Sequence, residues 1–221
     1  MAKLYDRDYF DRWYRKNPAL SRSRLTRKVA LAVALAEYHL ERPIRSVLDV
    51  GCGEGAWRAP LSKLRPQASY LGFDSSQYAV RRYGARRNLH LARFSDFEAL
   101  RPCPPVDLLV CSDVLHYLGA REIDRGLPGL AALCGGVAFL ECFTREDRAE
   151  GDDEGFHRRP ASFYRERFAQ AGFVQIGSHG WLSPALAQRA TALEVAPPAR
   201  PSRALRAGRA GSTGVTLPDR G

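Results

Sequence analysis

Ser46-Val-Leu-Asp49-Val-Gly51-Cys52-Gly53-Glu54-Gly55-Ala-Trp57 is the stretch on which the fold turns. Val47, Leu48 and Val50 form a short apolar run of the kind that makes a strand covered on both faces. The run breaks into Gly51, Gly53 and Gly55, spaced two apart, where the backbone can turn sharply and approach a ligand that a Cβ would strike. From Ala56 onward Trp57, Leu61 and Leu64 have helical spacing, so the loop should lead its ligand to a helix start.

Asp49, two positions before the first glycine, narrows the choice of ligand. A carboxylate at the carboxyl end of a strand repels a pyrophosphate and attracts a cation. Asp49-x-Gly51-x-Gly53-x-Gly55 resembles the glycine-rich motif of class I S-adenosylmethionine-dependent methyltransferases, whose cofactor carries an ammonium and a sulfonium. A dinucleotide site remains an alternative, because Gly51-x-Gly53-x-x-Ala56 also satisfies a permissive form of the Rossmann fingerprint.

Further along, Ser69 to Asp74 reads as a second strand ending in an acid about 20 residues past the glycines, where a carboxylate accepts hydrogen bonds from ribose hydroxyls in either cofactor class. Ser75 and Ser76 can cap the next helix, and its Arg81, Arg82, Arg86 and Arg87 read as a solvated face. Leu89 to Arg93 is a short third strand. Val106 to Ser112 is an apolar fourth strand running into Asp113-Val-Leu-His-Tyr-Leu118, which is similar to the segment after the fourth strand of small-molecule class I methyltransferases. The resemblance implies cofactor contacts from Asp49, Gly51, Cys52, Gly53, Gly55, Asp74, Ser75 and Ser112. It further implies that Asp96 bonds the adenine amino group while Phe97 covers the ring. An Asn/Asp-Pro-Pro-aromatic motif and a Pro-Cys nucleophile are both absent, which argues against adenine or glutamine N-methylation and cytosine C5 chemistry.

His116, just beyond the fourth strand, is the titratable group best placed for a general base, with Glu141 and His157 as weaker candidates. Near the start, Tyr5, Tyr9 and Trp13 recur at i, i+4 and i+8. This aromatic helix face is either a docking surface or, with Tyr117, a lid suited to a sulfonium through cation–π attraction. A second helix is expected from about Ser23 to His39, and another from about Arg121 to Leu133. Gly135 to Phe143 reads as the fifth strand, 144–159 as a polar loop over the substrate, 160–170 as a helix, and Phe173 to Ile176 as the sixth strand. Thr191-Ala-Leu-Glu-Val-Ala196 is β-like and reads as an antiparallel seventh strand.

The expected architecture is therefore α/β, a doubly wound, mostly parallel seven-stranded sheet (Rossmann-like) with N-terminal helices. Residues 1–44 would be a helical cap, 45–196 the methyltransferase domain and 197–221 a disordered basic tail poor in large apolar residues. The net charge of +10 lies at the ends: residues 1–45 hold 11 Lys/Arg against 5 Asp/Glu, 46–184 hold 17 against 17, and 185–221 hold 6 against 2. A neutral body argues against a nucleic-acid substrate. Cys52, Cys103, Cys111, Cys134 and Cys142, without a C-x-x-C pair, read as reduced core thiols of a cytoplasmic protein with no metal site. The apolar run after Arg27 and Lys28 is too short to span a membrane. The implied reaction moves a methyl group from S-adenosyl-L-methionine to an O or N atom of a small molecule. The rivals are a non-catalytic cofactor-binding or nucleic-acid-associated module and a nicotinamide-dependent oxidoreductase.

Overall fold

A computed structural model of the chain describes residues 6–11, 22–148 and 154–197. After a single helical turn, α1 (Arg7–Phe10), and the long α2 (Arg22–Leu40), strands and helices alternate. They are β1 (Ser46–Val50), α3 (Arg58–Leu64), β2 (Ser69–Asp74), α4 (Gln77–Arg87), β3 (Leu89–Leu91), β4 (Val106–Ser112), α5 (Ala120–Leu133), β5 (Cys134–Glu141), α6 (Ala161–Gln170), β6 (Val174–Gly177), β7 (Gly180–Leu182) and the short α7 (Pro184–Ala187). The seven strands lie in the order β3-β2-β1-β4-β5-β7-β6, with β7 antiparallel to both of its neighbours.

Side-chain alternation in the central strands sorts the core into two layers. Leu48, Val50, Leu109, Ala138 and Leu140 join α5 and α6 on one face, through Leu127, Leu130, Tyr164 and Phe168. Val47, Leu108, Val110, Val137 and Phe139 face the other way and meet Val29, Ala32, Val33 and Ala36 of α2. α2 is thus a structural layer of the sheet. It is pinned there by Glu37, which accepts from Arg65 and from the Ile44 N–H, and by Arg42, which forks onto Asp107 at 2.9 and 2.7 Å.

Helix α5 approaches the segment before β4 more closely than ordinary side chains permit. A Cβ on Gly126 would stand 2.2 Å from the Phe94 carbonyl oxygen, and one on Gly129 would stand 1.7 Å from that of Phe97. The two glycines share one helix face, so backbone packs on backbone there.

The seventh strand is not where the β-like pattern suggested. It is Gly180–Leu182, joined to β6 by a two-residue turn in which Ser178 and His179 have φ of 48° and 64°. Positive φ at both positions is what a tight hairpin matching the strand twist requires. Residues 191–196 form a turn instead of a strand: the Glu194 carboxylate accepts from the Thr191 N–H at 2.6 Å, and the Glu194 N–H donates to the Thr191 carbonyl at 3.1 Å. This local closure competes with extended pairing. The third strand ends at Leu91, and from Phe94 the chain enters a 3-10 turn. The sequence expectation of a disordered tail falls almost wholly outside the described residues, as do Tyr5 and Trp13 of the aromatic face.

Candidate active site

The strand order reverses between β1 and β4, and in open α/β sheets ligands bind beyond the carboxyl ends of the strands at such a switch point. Gly51 to Gly55 and Ser112 to Val114 therefore face one crevice. Gly51, Gly53 and Gly55 all have positive φ, at 75°, 54° and 73°. A Cβ at Gly51 would lie 2.2 Å from Val114 Cγ2, so the start of the loop packs directly on the segment after β4.

The loop is held from β2. Gly51 and Cys52 donate to the Phe73 carbonyl at 2.8 and 3.0 Å. Asp74 uses both carboxylate oxygens: Oδ2 accepts from the Gly53 N–H and Oδ1 from the Ser76 N–H, each at 2.7 Å. Burial pushes the Asp74 carboxyl up, and these two N–H donors pull it partly back. Each oxygen retains a second lone pair for a ligand hydroxyl. Ser76 caps α4 by accepting from the Ala79 N–H at 3.1 Å, while Ser75 is exposed at the rim.

Beneath the loop Asp49 is 2% exposed and accepts from the Tyr70 hydroxyl at 2.7 Å. Burial pushes its carboxyl up to about 7; the Tyr70 hydrogen bond pulls it down and the Asp74 charge pushes it further up. Cys52, buried beside it, has its thiol pushed well up by burial and then by the charges of Asp49 and Asp74, so it is a packing group with no nucleophilic character.

At the far wall, a cluster joins three elements. Glu141 Oε2, at the end of β5, accepts from Lys28 of α2 and from the Ser112 hydroxyl at the end of β4. Lys28 Nζ also lies 3.6 Å from Asp113 Oδ2. Asp113 sits at φ 62° and donates its N–H to the Glu141 carbonyl at 3.0 Å.

Several sequence expectations are placed differently. His116 is 2% exposed, with its ring 4.2 Å from that of Tyr117 and 4.9 Å from that of Phe156. Its Nδ1 accepts from the Phe143 N–H at 3.3 Å. His116 is packed among aromatic rings in this geometry. Replacing it with alanine is expected to cost about 1–3 kcal/mol of stability, read as a lowered urea midpoint. An unchanged midpoint would remove the packing role.

Phe97 is fully enclosed and meets Phe73 edge-to-face at 5.4 Å, which puts the ring in the core instead of on the wall of a crevice. Asp96 is exposed, and its Oδ2 accepts from the Arg93 N–H at 2.8 Å, closing the 3-10 turn. The Ser112 hydroxyl is engaged by Glu141. Tyr117 and Tyr9 are half-buried, and His157 is exposed, with its N–H donating to the His116 carbonyl at 2.8 Å. Sequence reasoning missed Tyr70 as the partner of Asp49 and Lys28 as the partner of Glu141. A lysine at the edge of the apolar run Val29 to Ala36 of α2 was the available signal for the second.

The order 3-2-1-4-5-7-6 with an antiparallel β7, the acid-glycine loop and the acid ending β2 agree with the family that the sequence resembles. A methyltransferase domain family model matches residues 48–136. The matched segment, from β1 to the start of β5, is similar to that methyltransferase domain, and the strand order agrees with a class I methyltransferase fold. Trans-aconitate 2-methyltransferase of Deinococcus radiodurans is 31% identical over 159 residues, which are 69% of this chain and 57% of the relative. The chain thus spans little more than half the length of that enzyme. Among solved structures, Streptomyces venezuelae DesVI aligns with a TM-score of 0.59 at 17% identity, covering 79% of this chain and 95% of that one. The magnesium protoporphyrin IX methyltransferase of Synechocystis PCC 6803, solved with bound SAH, aligns with a TM-score of 0.57 at 20% identity, covering 76% of this chain and 86% of that one. At these identities the solved structures speak to the fold. Among the described residues no grouping of His, Cys, Asp and Glu suits a metal ion, and no helix is long and apolar enough to cross a membrane.

Proposed function

We propose that the chain binds S-adenosyl-L-methionine and transfers its methyl group to a small-molecule O or N acceptor. The observation that carries this reading is the glycine loop, clamped by Asp74 over the buried carboxylate of Asp49 at the β1/β4 switch point. Asp74 would accept from the ribose hydroxyls, and the backbone of Gly51 to Gly55 would follow the amino-acid end of the cofactor. Asp96, exposed at the rim beyond β3, remains available to the adenine amino group. The bound cofactor would supply an electrophilic methyl group, and the chain's residues would hold the acceptor in line with it. Such alignment can lower a barrier by about 7–11 kcal/mol. Tyr9 and Tyr117 are proposed to contact substrate, and the five free cysteines suit a reducing cytoplasm.

Calorimetric titration tests the reading: micromolar binding of S-adenosylhomocysteine without binding of NADH is expected. The reverse result would favour the oxidoreductase, a reading that the Asp49 charge opposes. If the ionised form of Asp49 holds the cationic ligand, affinity should rise up to about tenfold between pH 6 and pH 8. Stability of the empty protein should move the other way. The folded carboxyl binds its proton more tightly than the unfolded one, so the Asp49 contribution is fully present below about pH 4 and is lost as pH rises through about 7. Asp49→Asn should flatten both slopes, and retention of either would assign it to another group.

A further inference from the structure

The cluster at the carboxyl ends of β4 and β5 has hydrogen-bonding capacity that the protein leaves unused. The Glu141 side chain is 10% exposed, and both bonds it receives fall on Oε2. Its Oε1 accepts nothing from the described residues. Asp113 Oδ1 is a buried oxygen without a hydrogen-bond partner, while Oδ2 faces Lys28. An unmade bond at a buried carboxylate is costly, about 1–3 kcal/mol or more for a charged group. The Asp113 oxygen lies beside Glu141, because Asp113 follows Ser112 directly and its N–H bonds the Glu141 backbone.

Positive charge in the neighbourhood comes from α2. Lys28 is committed to Glu141 Oε2, and Arg24, exposed one turn earlier, acts on Asp113 through its field. Burial, and then the Glu141 charge, push the Asp113 carboxyl up, against the pull of Lys28 and Arg24. Among the described residues, the cations that act on Asp113 are Lys28 and Arg24. An ammonium carries three donors and a charge of the required sign. A carboxylate ligand would add a third anion to the same place.

We infer that the crevice recognises its acceptor through a protonated amino group, held between Glu141 Oε1 and Asp113 Oδ1, with Lys28 as the positioning residue that fixes Glu141 from α2. This rests on the methyl-transfer reading above and names the substrate class of that same site. It sets the chain apart from its curated relative, named for trans-aconitate.

The test uses ligand-observed NMR on the full chain saturated with S-adenosylhomocysteine. Phenethylamine and cyclohexylamine serve as amine probes, with 3-phenylpropionate and trans-aconitate as acids. The amines are expected to bind at least about tenfold more tightly than the acids. Glu141→Gln and Asp113→Asn should each weaken the amines about tenfold while leaving the affinity for S-adenosylhomocysteine within about twofold. Asparagine tolerates the left-handed backbone at position 113, so that variant keeps the test open should Glu141→Gln fail to fold. Acids binding as well as the amines, no binding of either class, or amine binding indifferent to both variants would overturn the proposal. A loss of S-adenosylhomocysteine affinity in the variants, with the amines unaffected, would overturn it too and assign the cluster to the amino-acid end of the cofactor. If the wild-type chain fails to bind S-adenosylhomocysteine, the cofactor reading falls, and the amine preference is then decided on the protein alone.

Discussion

Asp74→Ala is expected to weaken binding of S-adenosylhomocysteine about 100-fold, at the upper end of what the loss of one ribose contact would produce. A charge-assisted hydrogen bond to a hydroxyl contributes about 1.5–3 kcal/mol, which alone is about a tenfold to 100-fold change in affinity. Asp74 does more than face the ribose. Its two oxygens hold the Gly53 and Ser76 N–H groups at 2.7 Å, tying the glycine loop to the start of α4. Without them the loop must be ordered by the ligand itself, a cost charged against binding. The sheet should survive, because Asp74 lies at the end of β2, outside the apolar layers. Asp74→Asn, which keeps one acceptor oxygen, should fall between the two. The measurement is calorimetric titration of both variants, beside their melting curves. Unchanged affinity in Asp74→Ala would remove the ribose assignment, and equal losses in the two variants would show that charge alone matters.

Gly129→Ala is expected to be the most destabilising single-methyl change in the described fold, at about 3 kcal/mol or more. In an exposed helix the same substitution would stabilise, by about 1 kcal/mol. Here the added carbon would stand 1.7 Å from the Phe97 carbonyl oxygen and 2.7 Å from its carbonyl carbon, and backbone atoms cannot swing aside as a side chain can. Either α5 moves off the sheet, opening the layer of Leu127, Leu130 and Leu133, or the 3-10 turn carrying Asp96 shifts. Overpacking of this kind costs typically about 1–3 kcal/mol, and a clash with main chain belongs at or above the upper end. Gly119→Ala is the control, because nothing lies within 4 Å of a Cβ there. Urea denaturation of the pair should show a large loss for Gly129→Ala and little change for Gly119→Ala. Equal midpoints would mean that α5 and the 94–98 segment are not in close contact.

Residues within reach of one another along the chain made much of this protein legible from its sequence. Val47, Leu48 and Val50 are apolar because both faces of β1 are covered, and the three glycines announce a backbone that must adopt positive φ. Asp74 was readable because the length of one crossover helix sets its distance from the glycine loop. The alternation of strand and helix through β6 specified the doubly wound sheet.

What the tertiary structure decided depends on burial and on which atoms share a hydrogen. His116 follows β4 in the chain, but its burial against Tyr117, Phe143 and Phe156, with the Phe143 N–H reaching it from just past β5, is a property of the fold. Phe97 looked like a ring cover until α5, through its two glycines, enclosed it. The final strand was misread because Thr191 to Ala196 has β-like composition but closes on itself locally, whereas Ser178-His179 makes a hairpin without the Asn-Gly signal that usually marks one. Lys28, Asp113 and Glu141 are separated by as many as 113 residues, and no local pattern relates them. They meet because α2 packs across the strands that β4 and β5 end, and the unused oxygens there are a property of the folded chain alone.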